Sequence, residues 1–329
     1  MRMWGSRCAA ALAGAAIMAT GTAGRATADD KPVHQAADGA ELKIAFITNN
    51  ASNFWNIARK GVQKAEKEFN LQVSFLTPKD PPKPEDQNNM LRDLAAQGFH
   101  GVAISPIEPK AQWRDIDQAA AKINIVTHDA DAPKSKNRLA YIGTDNYQAG
   151  RMLGKELKRL CPQPCQVAVF AGTFSADNAA ERRRGIKEEL GNGYEIISKE
   201  DETDRAKAKA NVEDVLLSYP DLKALAGIWS YNTPQIVNAV VARKLEGKIV
   251  CVGFDEEDDT LAAIEKGIVD CTVVQKPFEF GYQSVKVLRA IAMKGAAGIP
   301  DPPHIDTGVT VVRKDTVAKF VEEMKELKK

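Results

Sequence analysis

The sequence predicts an α/β protein built as two Rossmann-like, doubly wound parallel-sheet lobes, and three observations carry that prediction. The chain has 329 residues, 44% apolar and 27% charged, which is enough for two domains with a core each. Short apolar runs alternate with longer stretches whose apolar residues recur every three or four positions, the rhythm of repeated β-α units. That rhythm pauses near residue 145 and restarts, as two successive sheets require.

The elements follow in order. Residues 1–28 run from a short basic start through the Ala/Gly-rich stretch Cys8 to Gly24 to the small residues Ala26-Thr27-Ala28. This is the pattern of a cleavable export signal, with cleavage near Ala28. The apolar run is short and weak for a membrane-spanning helix, and Cys8 precedes it, which does not suit a lipid-anchored cysteine. Residues 29–40 are polar and read as a flexible N-terminus. A strand over 42–48 and a helix over 54–69 follow, the helix placing Phe54, Ile57, Ala58, Val62, Ala65 and Phe69 on one face. The unit repeats as strand 72–75, helix 85–97, strand 101–105, helix 110–122 and strands 124–127 and 139–142. The second series runs helix 146–160, strand 167–171, helix 177–190, strand 194–198, helix 204–218, strand 224–229, helix 234–244, strand 249–253, helix 258–266 and strand 271–275. It gives a second sheet of about five strands. A long helix over 278–293, a Gly/Pro-rich segment, a strand over 309–312 and a helix over 314–327 complete the chain.

Charge and composition narrow the function. The whole chain carries a net charge of +1; without residues 1–28 it holds 42 basic and 44 acidic residues, about −2, so no nucleic-acid partner is indicated. Four cysteines remain, Cys161, Cys165, Cys251 and Cys271. In an oxidising compartment disulfides Cys161–Cys165 and Cys251–Cys271 are both plausible. The C-x3-C spacing and the scattered His34, His100, His128 and His304 offer no zinc set. Neither a Gly-x-Gly-x-x-Gly turn, a phosphate loop, a nucleophile elbow nor a His-anchored triad occurs, so neither catalysis nor a cofactor is expected. There is no basic recognition helix of a transcription factor either.

In open parallel sheets ligands bind beyond the carboxyl ends of the strands, and here those positions are polar or aromatic. Phe54 and Trp55 could supply an apolar shelf for the C–H face of a sugar ring, Trp55 being the better candidate because Phe54 also suits the core. Asp129, Arg184, Asn232, Asp255 and Gln275 are planar hydrogen-bonding groups suited to adjacent hydroxyls. Each has a plainer reading too. Asp129 could be a turn residue and Asn232 a helix cap, while Arg184 lies in a charge run that would normally be a solvated helix face. Asp255 ends a buried strand and needs donors. Ser52, Asn53 and Ser105 are short polar turn residues that require no function.

Several stretches, taken together in their order, resemble the ribose-binding-protein family of periplasmic sugar-binding proteins over nearly all of residues 42–313. They are Ile44-Ala-Phe-Ile-Thr48, Ser52-Asn-Phe-Trp-Asn-Ile-Ala-Arg-Lys-Gly61, Gly101-Val-Ala-Ile-Ser-Pro106, Ile125-Val-Thr-His-Asp129 and Gly143-Thr-Asp-Asn146. Glu181-Arg-Arg-Arg-Gly185, Ile228-Trp-Ser-Tyr-Asn232, Val252-Gly-Phe-Asp255 and Thr272-Val-Val-Gln275 complete the set. The resemblance implies two lobes joined by a three-crossover hinge, with residues 41–144 plus 276–306 in one and 145–275 plus 307–329 in the other. It implies a monomer that takes a monosaccharide or polyol and delivers it to the membrane permease of an ABC transporter, or alternatively to a chemoreceptor or sensor kinase. It also singles out Arg184 within the charge run, and adds Thr203 at a contact that is aromatic in the family. Ala130 stands where the ribose binder has an arginine, and Ser105 where the family often has asparagine. These departures imply a pocket of different shape or a larger ligand.

Overall fold

A computed structural model describes residues 31–52 and 54–328; the expected export signal and Asn53 lie outside them. Two six-stranded sheets form, each of mostly parallel strands with helices between them. The first orders β11-β5-β4-β3-β1-β2, with β1 Lys43–Ile47, β2 Gln72–Leu76, β3 Gly101–Ile104, β4 Asn124–His128, β5 Ala140–Gly143 and β11 His304–Asp306. The second orders β12-β10-β9-β8-β6-β7. Its strands are β6 Gln166–Ala171, β7 Glu195–Glu200, β8 Leu222–Gly227, β9 Val250–Phe254, β10 Cys271–Val274 and β12 Thr310–Arg313. The chain passes between the sheets at residues 144–145, 275–276 and 307–309.

The central strands are buried on both faces, β1 after its first residue and β3 and β4 throughout, so β1 from Ile44 and β3 read as continuous apolar runs rather than alternating ones. Two strands differ from the sequence expectation. β11 spans a segment read only as a crossover, because three residues between Pro302-Pro303 and Thr307-Gly308 carry no period. β12 pairs antiparallel with β10, Cys271 facing Arg313, since the chain re-enters the second sheet from its edge.

Helices α4, Asn146–Leu160, and α5, Asp177–Leu190, meet backbone to backbone. A Cβ on Gly150 would stand 2.1 Å from the Arg182 carbonyl oxygen, and one on Gly185 2.2 Å from that of Tyr147. Only glycine permits that approach, and it fixes which face of α5 is buried.

Residues 31–40, expected to be flexible, are tied down in part. The His34 N–H donates to Asn124 Oδ1 (2.9 Å), Asn124 Nδ2 donates to the His34 carbonyl (2.7 Å), and the Ala36 N–H reaches Ala292 O (2.8 Å). Asn124 is fully buried, and its amide needs these partners. The Cys251–Cys271 pairing is excluded by register. Cys271 pairs with Val252, so Cys251 is one residue out of step and faces the opposite side of the sheet, in a different core cluster. All four cysteines are thiols here, Cys161 and Cys165 lying together at the turn between α4 and β6.

Candidate ligand-binding cleft

Two aspartates occupy matching positions at strand ends. Asp129 follows β4 with φ 56°, and Asp255 follows β9 with φ 66°, a region that non-glycine residues enter only when their surroundings hold them there. The holding bonds are visible. The Asp129 N–H donates to Ile142 O (3.2 Å), and Tyr141 Oη donates to its carbonyl (2.9 Å). The Asp255 N–H donates to Val273 O (2.9 Å), and Thr272 Oγ1 to its carbonyl (2.8 Å). Their carboxylates are thereby turned to the carboxyl ends of the two sheets.

Asp129 Oδ2 accepts from Ser105 Oγ (2.9 Å) and Asn49 Nδ2 (3.3 Å). Burial pushes its carboxyl up to about 6, against the opposing pull of the Ser105 hydroxyl and the positive charge of Arg182. Asp255 is also raised by burial, with the Arg182 charge as the main counterweight. Its Oδ1 accepts from Gln275 Nε2 (3.0 Å), and its Oδ2 stands 3.9 Å from Arg182 Nη1.

Arg182 is the charged centre of the site. It is 2% exposed, its guanidinium lies 4.3 Å over the Phe254 ring, Nε donates to Asn146 Oδ1 (2.8 Å), and Nη1 donates to Ile228 O (2.9 Å). Burial draws its pKa down, while Asp255 and Asp129 draw it up. A cavity of about 960 Å³ opens between the lobes, lined among others by Asn49, Asp129, Tyr141, Thr144 and Asn146. Arg182, Asp255 and Gln275 stand directly behind this wall, Arg182 through Asn146 and Gln275 through Thr144 Oγ1, which donates to Gln275 Oε1 (2.9 Å).

The structure places the arginine chosen from the sequence at the edge of the cavity and a neighbouring one behind its wall. Arg184 is exposed on the other side of α5, paired with Glu181 and stacked 4.1 Å from the Tyr147 ring at the cavity rim. The buried face of α5 is Ala179, Arg182, Gly185, Ile186 and Leu190. This is a helical period legible in the sequence once Gly185 is taken as a contact glycine, and it places Arg182 inward.

The aromatic shelf also changes. Trp55 is 3% exposed within the first lobe's core, edge-on to Phe46 and His128, with Nε1 donating to Asn49 Oδ1 (3.2 Å). The cause is the buried stripe of α1, Phe54–Phe69, to which it belongs. Phe54 is half-buried and packs edge-on against Trp55. Ser105 and Gln275 lie in the network, whereas Ser52 is exposed and its N–H donates to Asn50 Oδ1.

Asn232 is 1% exposed and already bonded, Nδ2 donating to Asp201 Oδ2 (2.8 Å) and Oδ1 accepting from the Trp229 N–H (3.0 Å). Thr203, with φ 69°, is exposed and fixed by its N–H to Asp201 Oδ1 (3.0 Å). Asp201, fully buried and also bonded to Tyr231 Oη, organises this corner. Sequence reasoning missed Asp201 because it sits inside an acidic run that reads as solvated.

Asn49, Asp129, Tyr141, Thr144 and Asn146 thus present polar groups to the cavity, with Ser105, Arg182, Asp255 and Gln275 bonded into the network around them, an arrangement suited to the hydroxyls of a small molecule. Among the described residues no cluster of His, Cys, Asp and Glu could hold a metal ion.

Comparison with known proteins agrees with this fold. Residues 44–296 match the periplasmic binding protein domain. The chain is 25% identical over 241 residues to the ribose import binding protein of Bacillus subtilis, covering 72% of this chain and 77% of that one. An ABC transporter solute-binding protein from Burkholderia graminis, solved in complex with D-arabinose, is 30% identical with a TM-score of 0.74 over 85% of this chain and 98% of that one. A sugar ABC transporter sugar-binding protein from Bacillus halodurans is 25% identical with a TM-score of 0.78, over 85% and 100%. The chain therefore belongs to the periplasmic binding protein family.

Proposed function

We propose that this protein is an extracytoplasmic solute-binding protein that captures a monosaccharide or related polyol between its lobes and delivers it, chemically unchanged, to an ABC-type permease. The observation that carries the reading is the pair of strand-end aspartates, one on each lobe, sharing the field of one buried arginine beside an interlobe cavity. Such a site rewards a ligand that touches both lobes at once, and binding energy then holds the lobes closed. The names of the relatives, a ribose import protein and an arabinose-bound solute-binding protein, support a sugar, a periplasmic location and an import partner. The protein acts as a monomer, one cleft per chain.

A thermal-shift panel of pentoses, hexoses, polyols and nucleosides tests this. A ligand at a hundred times its Kd stabilises the folded state by about 2.7 kcal/mol, so a sugar or polyol should raise Tm by several degrees and be recovered unaltered by mass spectrometry. No shift with any sugar or polyol, or conversion of the added compound, would contradict the proposal.

A further inference from the structure

The cavity is larger than one sugar ring needs. Pockets of roughly 300–1,000 Å³ take drug-sized ligands, and the about 960 Å³ here lies at the top of that range. The volume persists although the lobes already touch along one side, where Lys110 Nζ donates to Ser175 O (2.6 Å) and lies 3.4 Å from Asp177. Small and loop residues form part of its wall, among them Ala130, directly after Asp129, and Ala176.

The same wall carries Trp229, an aromatic that the network around Asp129 and Asp255 does not use. Its ring lies against Gly172: a Cβ there would sit 2.1 Å from Trp229 Cζ3, so only glycine allows the indole to lie where it does. Its Nε1 donates to Asn178 Oδ1 (3.3 Å). The ring is therefore fixed at its polar atom and backed on one side, while remaining half-buried and lining the cavity. A braced indole in a cavity wall is a group on which the C–H face of a pyranose can stack.

We propose that the cleft has a second sugar subsite with Trp229 as its platform, so that the preferred ligand is a disaccharide or other glycoside whose first ring occupies the Asp129–Asp255 end. The inference rests on the reading of the protein as a sugar binder. Ala130 sets the room available to the second ring.

Calorimetry of the wild type with a panel of pentoses and hexoses, and with methyl glycosides and disaccharides built from them, tests it. At least one glycoside should bind ten times more tightly than its parent monosaccharide. In Trp229→Ala the ratio should fall towards one, in Trp229→Phe most of it should survive, and Ala130→Arg, which fills the space from the opposite lobe, should also abolish it. Monosaccharides binding as tightly as every glycoside, or a ratio unmoved in both Trp229→Ala and Ala130→Arg, would overturn the subsite and leave the sugar reading standing. Absence of binding by any saccharide would remove the sugar reading and the subsite with it.

Discussion

Asp129 closes β4 in the first lobe and Asp255 closes β9 in the second; both take a positive φ, and both have their backbone carbonyls tied by a hydroxyl, from Tyr141 and Thr272. Their partners differ. The first lobe surrounds its carboxylate with neutral donors, Ser105 and Asn49, while the second sets a guanidinium and an amide beside it, Arg182 and Gln275. Neutral donors leave most of the desolvation of the charge uncompensated, whereas a buried cation offsets it. Burial raises both carboxyls, and the one in the second lobe has the guanidinium within 3.9 Å as its main counterweight.

The largest effect that could break this comparison comes from the arginines. Arg182→Ala leaves Asp255 without its cation and Asn146 and the Ile228 carbonyl without their donor. Removing one member of a buried pair costs about 3–5 kcal/mol, so sugar affinity should fall at least a hundredfold and Tm should drop. A far weaker response in calorimetry and thermal melts would contradict the role given to the second lobe.

The next effect is on pH. With its carboxyl near 6, Asp129 is about nine-tenths protonated at pH 5 and almost wholly ionised at pH 7.5. A sugar hydroxyl donates to the ionised form, so affinity should fall by up to about tenfold between pH 7.5 and 5, and Asp129→Asn should flatten the profile. In the free protein the linkage runs the other way. The folded state holds the proton more tightly than the unfolded chain, so this group's contribution to stability is present below its ordinary value near 4 and is lost as pH rises through 6. His128, buried and driven down to about 3, stays neutral throughout this range. Titrations at four pH values check it, and an equally steep profile in Asp129→Asn would contradict the assignment.

The smallest effect belongs to Arg184→Ala. Its guanidinium is exposed and paired with Glu181 and Glu188 along its own helix, an arrangement worth a few tenths of a kcal/mol. Affinity and Tm should change by less than twofold and by about a degree or less; a loss rivalling that of Arg182→Ala would reverse the register of α5.

These contrasts also show how much of the molecule was legible from its residues. The two parallel sheets were, because buried strand segments such as 44–47 and 101–104 are apolar throughout and the helices between them keep a period of 3.6. Asp129, Ser105, Asp255 and Gln275 were legible as site candidates because the carboxyl ends of such strands lie together at one edge. Arg182 was not separated from Arg183 and Arg184, since three identical residues hide a period and only the contact glycine Gly185 discloses it. Trp55 was misplaced because a residue at a strand-helix junction can face either the cleft or the core, and the helix stripe that decides this begins at that very residue. The anchoring of 31–36 depends on the amide of Asn124 far along the chain, and no local pattern carries such a contact.

The central claim is that one ligand is held by both lobes at once, and it is tested most directly by calorimetric titration of the best-binding sugar into Asp129→Ala and Asp255→Ala, with folding verified by circular dichroism. Each substitution alone should weaken binding at least tenfold, about 1.4 kcal/mol. Binding within twofold of the wild type in either variant would mean that the ligand rests on one lobe only, and would contradict capture between the two.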